Sequence, residues 1–352
     1  MRVLHLLGSN HFSGAENVVC QIISMFRGEA EVDMVYSSPD GQIREALCER
    51  GVSYAPISAL TVREAKRVIR EQKPDVVHAH DMRASLIAAL ACGKVPLVSH
   101  IHGNAVRSRR VNSRTLLYLL TAHRAGHIFW VSESSQRGFV FGERVKKKSS
   151  VLKNIISQKE LWEKALDADK KACDIVFVGR MVSEKNPQRF IDIIKLIKNE
   201  IPNIRVSIFG DGYLADEVKS KIEALGLCEN ITMHGFVKNP FPTVKGASLM
   251  LMCSVSEGMP MCALEALALG VPVVSTPTDG INDIVCDTYN GYLSSSDEVL
   301  AKRAVEIIKN RELRDELSKN ALMLSGKINN KDKYKAELLS VYTKLTKNNY
   351  GR

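Results

Sequence analysis

Short apolar runs alternate with stretches of helical period along almost the whole chain. RVLHLLGS, VDMVYSS, YAPI, DVVHAH, PLVSHIHG and HIFWVSES read as strands, being short, rich in β-branched or aromatic residues and closed by polar or turn residues. Between them, apolar residues recur every three or four positions: a helix from Ala15 to about Phe26, then QIREALCERG, 62–71, RASLIAALACG and TLLYLLTAHRAG. A second series starts at DIVFVGR (174–180) and continues through a helix 187–199, RVSIFGDG, a helix 213–225, ITMHGFV, SLMLMCS, PMCALEALAL and VPVVST. Helices near 296–309 and 311–324 follow. The last pattern places Tyr334, Leu338, Leu339, Tyr342 and Leu345 on one helical face.

This alternation predicts βα units around parallel sheets, in two doubly wound, Rossmann-like halves of the α/β class. Lys146–Lys148 and the polar stretch Glu160–Lys171, which shows no apolar face, mark the joint. The expected domains are 1–155, joined by a C-terminal helix within 333–352 that crosses back, and 156–332. Doubly wound sheets bind ligands at the carboxyl ends of their strands, so a cleft faced by the two halves is the expected site.

Ser254–Thr276, SVSEGMPMCALEALALGVPVVST, concentrates the chemistry. It reads as strand end, loop, helix, stop and strand: Gly258 loosens the loop, Pro260 suits a first helical turn and Gly270 ends the helix. The N–H groups of Met261 and Cys262 then face an anion at a helix N-terminus. Glu257 and Glu265 flank that point. A carboxylate does not bind phosphate, so a phosphate there leaves the glutamates to address hydroxyl groups, and phosphate plus hydroxyls describes a sugar nucleotide. The alternative makes Glu257 a loop charge and Glu265 a solvated helix residue, although Glu265 sits in a helix apolar nearly all round. In VGRMVSEKN (178–186), Arg180 and Lys185 follow a strand end and can reach one anion, the guanidinium as a fork and the amine as a point charge. Read alone, they are equally two exposed bases in a loop.

The chain has 352 residues, 45% hydrophobic and 25% charged, and 49 Lys and Arg against 39 Asp and Glu give a formal net charge of +10. Such an excess favours a polyanion: nucleic acid, an anionic membrane face or a phosphorylated substrate. No aromatic interleaving or nucleic-acid motif accompanies the basic residues, so nucleic acid is not expected. The eight cysteines show no metal-ligand spacing and read as reduced core thiols of a cytoplasmic protein. The apolar run of MRVLHLLGSN is too short for a signal peptide, and no segment approaches the roughly 20 apolar residues of a membrane span.

GRMVSEKN, HGFV and SEGMPMCALEALALGVPVVST, in this order and spacing, resemble the retaining GT-B glycosyltransferases of family 4. The resemblance implies a GT-B fold and metal-independent transfer of a sugar, without a cofactor, from a nucleotide-sugar donor, UDP being the common one. It implies a glycan or lipid-linked acceptor, in capsule, exopolysaccharide or lipopolysaccharide synthesis. It assigns Arg180 and Lys185 to the donor diphosphate, the amides of Met261 and Cys262 to the phosphate, Glu257 to the sugar, Glu265 to the ribose hydroxyls and main chain near Phe236 to the base. HFSGAE (11–16) is similar to the family's N-terminal glycine loop, where Gly14 lets backbone approach the donor, although Ser13 replaces a first glycine. His102, in SHIHGN, stands where the family has a histidine near the transferred sugar. The fold also hosts epimerases or hydrolases of sugar nucleotides, and a non-catalytic sugar-nucleotide-binding protein is a third reading. A dinucleotide dehydrogenase is not expected, since GSNHFSG after the first strand is not G-x-G-x-x-G.

Other features carry structural expectations. His78 and His80 end a buried strand, one or both capping the next helix. His123 and His127 lie four apart in helical register without a third metal ligand in view. Asp167-Ala168-Asp169 falls in a lysine-rich stretch and is rejected as a metal motif. Residues 106–124 combine five arginines with Leu116, Leu117, Leu119 and Leu120, which fits either peripheral contact with an anionic membrane, on the inner face of the cytoplasmic membrane, or a basic loop and a core-facing helix. Lys146–Lys148 extend that face or are linker charge only. Alanine at Arg180 or Lys185 is expected to slow transfer far more than it destabilises the fold.

Overall fold

The computed structural model describes residues 1–103, 106–166 and 173–350. Strands β1 (Arg2–Leu6), β2 (Asp33–Ser37), β3 (Val76–His80), β4 (Leu97–Ile101), β5 (His127–Trp130) and β6 (Ser149–Val151) form one sheet in the order β2-β1-β3-β4-β5-β6. Strands β7 (Ile175–Val178), β8 (Val206–Phe209), β9 (Ile231–Met233), β10 (Leu249–Met252), β11 (Val273–Ser275) and β12 (Gly291–Leu293) form a second, ordered β12-β11-β10-β7-β8-β9. All pairings within both are parallel. The strands are short and buried nearly throughout, which is why they read as continuous apolar runs.

Each sheet reverses its winding once. In the first unit the chain leaves β1 for β2 on one side and returns to β3 on the other. In the second it runs from β7 to β8 and β9, then crosses back to β10 beside β7. At both reversals two strand-end loops diverge and leave an open crevice at the carboxyl ends.

The compact units are Met1–Ile155 with Asn330–Arg352, and Ile156–Asn329. The second joint falls at 329/330 rather than 332/333 because Asn329 accepts from the Ile156 N–H at 3.0 Å, while Asn330 accepts from the Lys333 N–H at 2.9 Å and opens the next helix. That helix, Lys331–Tyr350, packs on the first unit: Tyr334, Leu338 and Tyr342 are buried, and the Tyr342 hydroxyl lies 2.6 Å from His78 Nδ1. Glu337 accepts from Ser150 Oγ at 2.9 Å.

Several local expectations are corrected. The Gln158–Lys164 helix does have a docking face: Leu161 is buried and the Trp162 indole donates to the Ala268 carbonyl at 2.9 Å. So few residues over so short a helix leave no visible period. Asp167–Asp169 lie outside the described residues. His123 and His127 do not share a helix, because Ser113–Arg124 ends and His127 opens β5. Lys148 donates to the carbonyls of His123 and Ala125 at 3.1 and 3.0 Å, so it caps a helix end and is not a free surface charge. All eight cysteines are free, but Cys48, Cys228 and Cys286 are exposed, not core.

Replacing Tyr342 with Phe removes one buried hydroxyl and leaves His78 Nδ1 unpaired. The expected loss of stability in urea denaturation is about 1–2 kcal/mol. An unchanged midpoint would show that this hydrogen bond does not fasten the C-terminal helix.

Candidate active site

In the second unit the reversal brings the loop after β7 against the loop after β10, whose strands pair through Leu249↔Ile175 and Met250↔Val176. The first loop is pinned from the β8 side, where the Gly179 N–H donates to the Phe209 carbonyl and the Met181 N–H to the Asp211 carbonyl, both at 2.9 Å. Only glycine permits this approach at 210: its φ is +127°, and a Cβ there would lie 1.9 Å from the Gly179 oxygen. On the other side, the Val255 N–H donates to the Glu184 carbonyl at 2.9 Å.

The side chains complete the junction. Lys185 Nζ lies 2.5 Å from Glu257 Oε1, and Ser254 Oγ donates to the same oxygen at 2.6 Å. The pair is largely withdrawn from water, with side-chain exposures of 18% and 10%. Burial works against the Lys185 charge, yet neighbouring Cys262 and Glu257 outweigh it and raise the ammonium above its ordinary range. Burial pushes the Cys262 thiol up to about 11 against the pull of Lys185.

The Met261–Ala268 helix starts after extended Pro260 with no side chain capping it, so the positive end of its dipole opens beside Lys185 and Glu257. Arg180 is exposed, and no ion pair to it is found among the described residues. One helical turn further on, Glu265 is half-buried without a side-chain hydrogen bond among the described residues, and lost hydration pushes its carboxyl up to about 8 despite Lys164 nearby. Phe236 follows β9, one strand beyond β8, and the residue is 72% exposed. The Gly210 N–H ties that loop back by donating to the Gly235 carbonyl at 2.8 Å. Arg180, Lys185, Glu257, Met261, Cys262 and Glu265 therefore gather around the β7–β10 junction, while Phe236 sits further along the sheet edge.

Gly14 and His102 belong to the first unit. Gly14 opens the Gly14–Met25 helix, and Ser13 before it is extended but does not cap, because its hydroxyl donates to the Glu16 carboxylate. Glu16 is buried, and with Gly8, Ala15, His80 and Asp81 it lines a cavity of about 280 Å³ at the β1–β3 reversal. Asp81 has a left-handed backbone, φ +68°, and its carboxylate accepts from the His102 N–H at 3.0 Å.

His102 Nε2 is 2.8 Å from His80 Nδ1. His80 Nε2 in turn is 3.0 Å from His5 Nδ1. His78 and His80 do end a buried strand, but His80 makes no side-chain cap to the Asp81–Ala91 helix, because both its ring nitrogens are spent on other imidazoles. Burial lowers all five, and repulsion from neighbouring imidazoles adds to it for four: His5 falls to about 3, and His78, His80 and His100 well below the usual range, while His102 falls to about 4 by burial alone, against the pull of Glu16. Sequence reading missed this cluster, as it missed Glu16 and Asp81. Its one sequence signal is the repeat of histidine at alternate positions in HAH and HIH, which places the rings on one face of adjacent strands.

Two family models match this chain one after the other: Glycosyltransferase Family 4 over residues 12–157 and Glycosyl transferases group 1 over residues 158–323. An uncharacterized glycosyltransferase of Methanocaldococcus jannaschii is 25% identical over 64% of this chain and 61% of its own length. The Escherichia coli UDP-Gal:alpha-D-GlcNAc-diphosphoundecaprenol alpha-1,3-galactosyltransferase is 26% identical over 66% of this chain and 65% of its own. The chain thus matches less than two thirds of the length of either relative. Among solved structures, Anabaena HepE in complex with UDP and glucose superposes with a TM-score of 0.87 at 18% identity, covering 98% of this chain and 100% of that one. The two consecutive family matches and the paired doubly wound sheets place the chain in the family-4 glycosyltransferases, with the two-domain α/β GT-B fold.

Proposed function

We propose that this protein transfers a sugar from a UDP-sugar to a hydroxyl of a glycan or lipid-linked saccharide, with retention at the anomeric carbon, in the synthesis of a surface polysaccharide. The observation that carries the reading is the β7–β10 junction, where the exposed guanidinium of Arg180, the Lys185 ammonium and an uncapped helix N-terminus meet. The reading is supported by the UDP and glucose bound to Anabaena HepE and by the UDP-Gal and diphosphoundecaprenol in the name of the Escherichia coli relative.

In this assignment Arg180, Lys185 and the amides of Met261 and Cys262 stabilise the leaving diphosphate as its charge grows. Lys185 can do so while held by Glu257, since an ammonium has three N–H donors and Glu257 takes one. Glu257 positions the donor sugar and is not a nucleophile. Glu265 takes the ribose hydroxyls, main chain near Phe236 the base, and Gly14 gives backbone close approach to the donor. His102 addresses a sugar hydroxyl or the reaction centre. The leaving phosphate accepts the acceptor's proton, so the step as written uses neither metal nor organic cofactor.

A lipid-linked acceptor calls for a membrane surface, and the Ser113–Arg124 helix suits one. Its core face buries Tyr118 and Leu119, while Leu116, Leu117, Leu120 and nearby Val111 are exposed beside Arg110 and Arg114. Arg124 is not part of that face, because it donates to the carbonyls of Gly93 and Val95. No helix among the described residues is long and apolar enough to cross a membrane. We assign the protein to peripheral contact with the inner, cytoplasmic leaflet.

UDP-sugars incubated with and without polyprenyl-diphosphate saccharides test the transfer. A product that forms only with acceptor, keeps the donor's anomeric configuration by NMR, and falls about 10²-fold or more in kcat/KM for Arg180→Ala is expected. Arg180→Ala should leave the denaturation midpoint unchanged because the side chain is exposed. Lys185→Ala should not, because it strands buried Glu257. Sugar release or epimerisation without acceptor, or full transfer by Arg180→Ala, would contradict the assignment.

Glu265 yields a pH test. Its carboxyl titrates near 8 folded and near 4.5 unfolded, so the folded state holds a proton that the unfolded state has released between these values. Wild-type stability relative to Glu265→Gln should be highest below about pH 4.5, fall as pH rises, and level off above about pH 8. Glu265→Gln should raise Tm at pH 8 while weakening donor binding. A Tm difference that does not change from pH 4 to 8 would show that Glu265 is not desolvated.

A further inference from the structure

Toward the carboxyl ends of β3 and β4, five imidazoles lie ring against ring, four from β1, β3 and β4 and His102 from the loop after β4. Ring centroids lie 4.4 Å apart for His78 and His80, 5.1 Å for His80 and His102, and 4.2 Å for His100 and His102. One nitrogen from each of His80, His100 and His102 falls within 4.8 Å of one from each of the others. Among the described residues, both nitrogens of His100, which is fully buried, and Nδ1 of His102 have no hydrogen-bond partner. Buried polar atoms are ordinarily paired, and a neutral imidazole carries one lone pair, so His100 brings to the cluster a buried lone pair with no acceptor among the described residues.

We propose that His80, His100 and His102 form a binding site for one divalent transition-metal ion of the zinc class. Three neutral imidazoles are a donor set suited to Zn²⁺ and Co²⁺. Bonds of about 2.0–2.1 Å in tetrahedral array set ligand nitrogens roughly 3.3–3.4 Å apart. The 2.8 Å between His80 Nδ1 and His102 Nε2 therefore opens by only about half an ångström, in line with the loop position of His102. With Nδ1 on the metal, His80 turns its Nε2–H toward His5 Nδ1, 3.0 Å away, the outer hydrogen bond that orients a metal-bound histidine. Negative charge lies close by in Glu16, which acts on His102, and in Asp81, which holds the His102 N–H. His80 and Asp81 also line the 280 Å³ cavity, which gives the ion a route in. The inner set of His5, His78 and His80 is less apt, being wholly buried with His78 Nδ1 committed to Tyr342.

Titration of the full chain with Co²⁺ alone, followed by visible absorption, tests the site. One equivalent should give d–d bands without sulfur charge transfer, and one equivalent of Zn²⁺ should bleach them. His100→Leu and His102→Ala should each weaken Co²⁺ binding at least about tenfold. Should His100→Leu fail to fold, His102→Ala decides alone, since its side chain is only half-buried. Absence of stoichiometric bands, thiolate charge transfer from exposed Cys48, Cys228 or Cys286, or unchanged affinity in His102→Ala would overturn the proposal.

Discussion

Glu257 is almost withdrawn from water at the mouth of an apolar helix, and an ionised carboxylate in such a place needs partners. It has two on one oxygen, the Lys185 ammonium at 2.5 Å and the Ser254 hydroxyl at 2.6 Å. Lys185 comes from the loop after β7 and Glu257 from the loop after β10, so this single contact fixes one side of the crevice relative to the other. The backbone bond from Val255 to Glu184 repeats the link. Removing either charge would free the loops as well as leave the other ion stranded.

That pair is neutral overall, and the potential of the junction is set by what it leaves uncancelled. Arg180 is exposed, and the Met261–Ala268 helix presents uncapped amides to the same region. Strand order brings these about: the chain crosses from β9 back to β10, so the ends of β7 and β10 adjoin while their helices depart on opposite faces. The first unit has the same reversal with other chemistry. At β1–β3 the groups are buried imidazoles, Glu16 and a strained Asp81, which suit lone-pair donation and hydrogen bonding to hydroxyls more than the binding of an anion.

Much of this was legible from local signals. Buried parallel strands show as short apolar runs, and GRMVSEKN and SEGMPMC place bases and a helix start directly after strands. Contacts between elements distant in sequence were not legible. His5 and His80 are 75 positions apart, and His78 and Tyr342 are 264 apart, so no window contains either pair. The Lys185–Glu257 bridge spans 72 positions and was hidden the same way, although both residues were singled out, each for a ligand and not for the other. His123 and His127 misled for the opposite reason: nearness in sequence suggested one helix, but Ala125 is extended and the chain passes into β5.

The central claim is that the β7–β10 junction binds a pyrophosphate by charge, and calorimetric titration of the full chain with UDP, UMP and uridine at low and high salt tests it most directly. Affinity should rise with each phosphate, UDP should bind at least about 100-fold more tightly than uridine, and added salt should narrow that gap. Uridine binding as tightly as UDP would contradict the account, whatever sugar the protein handles.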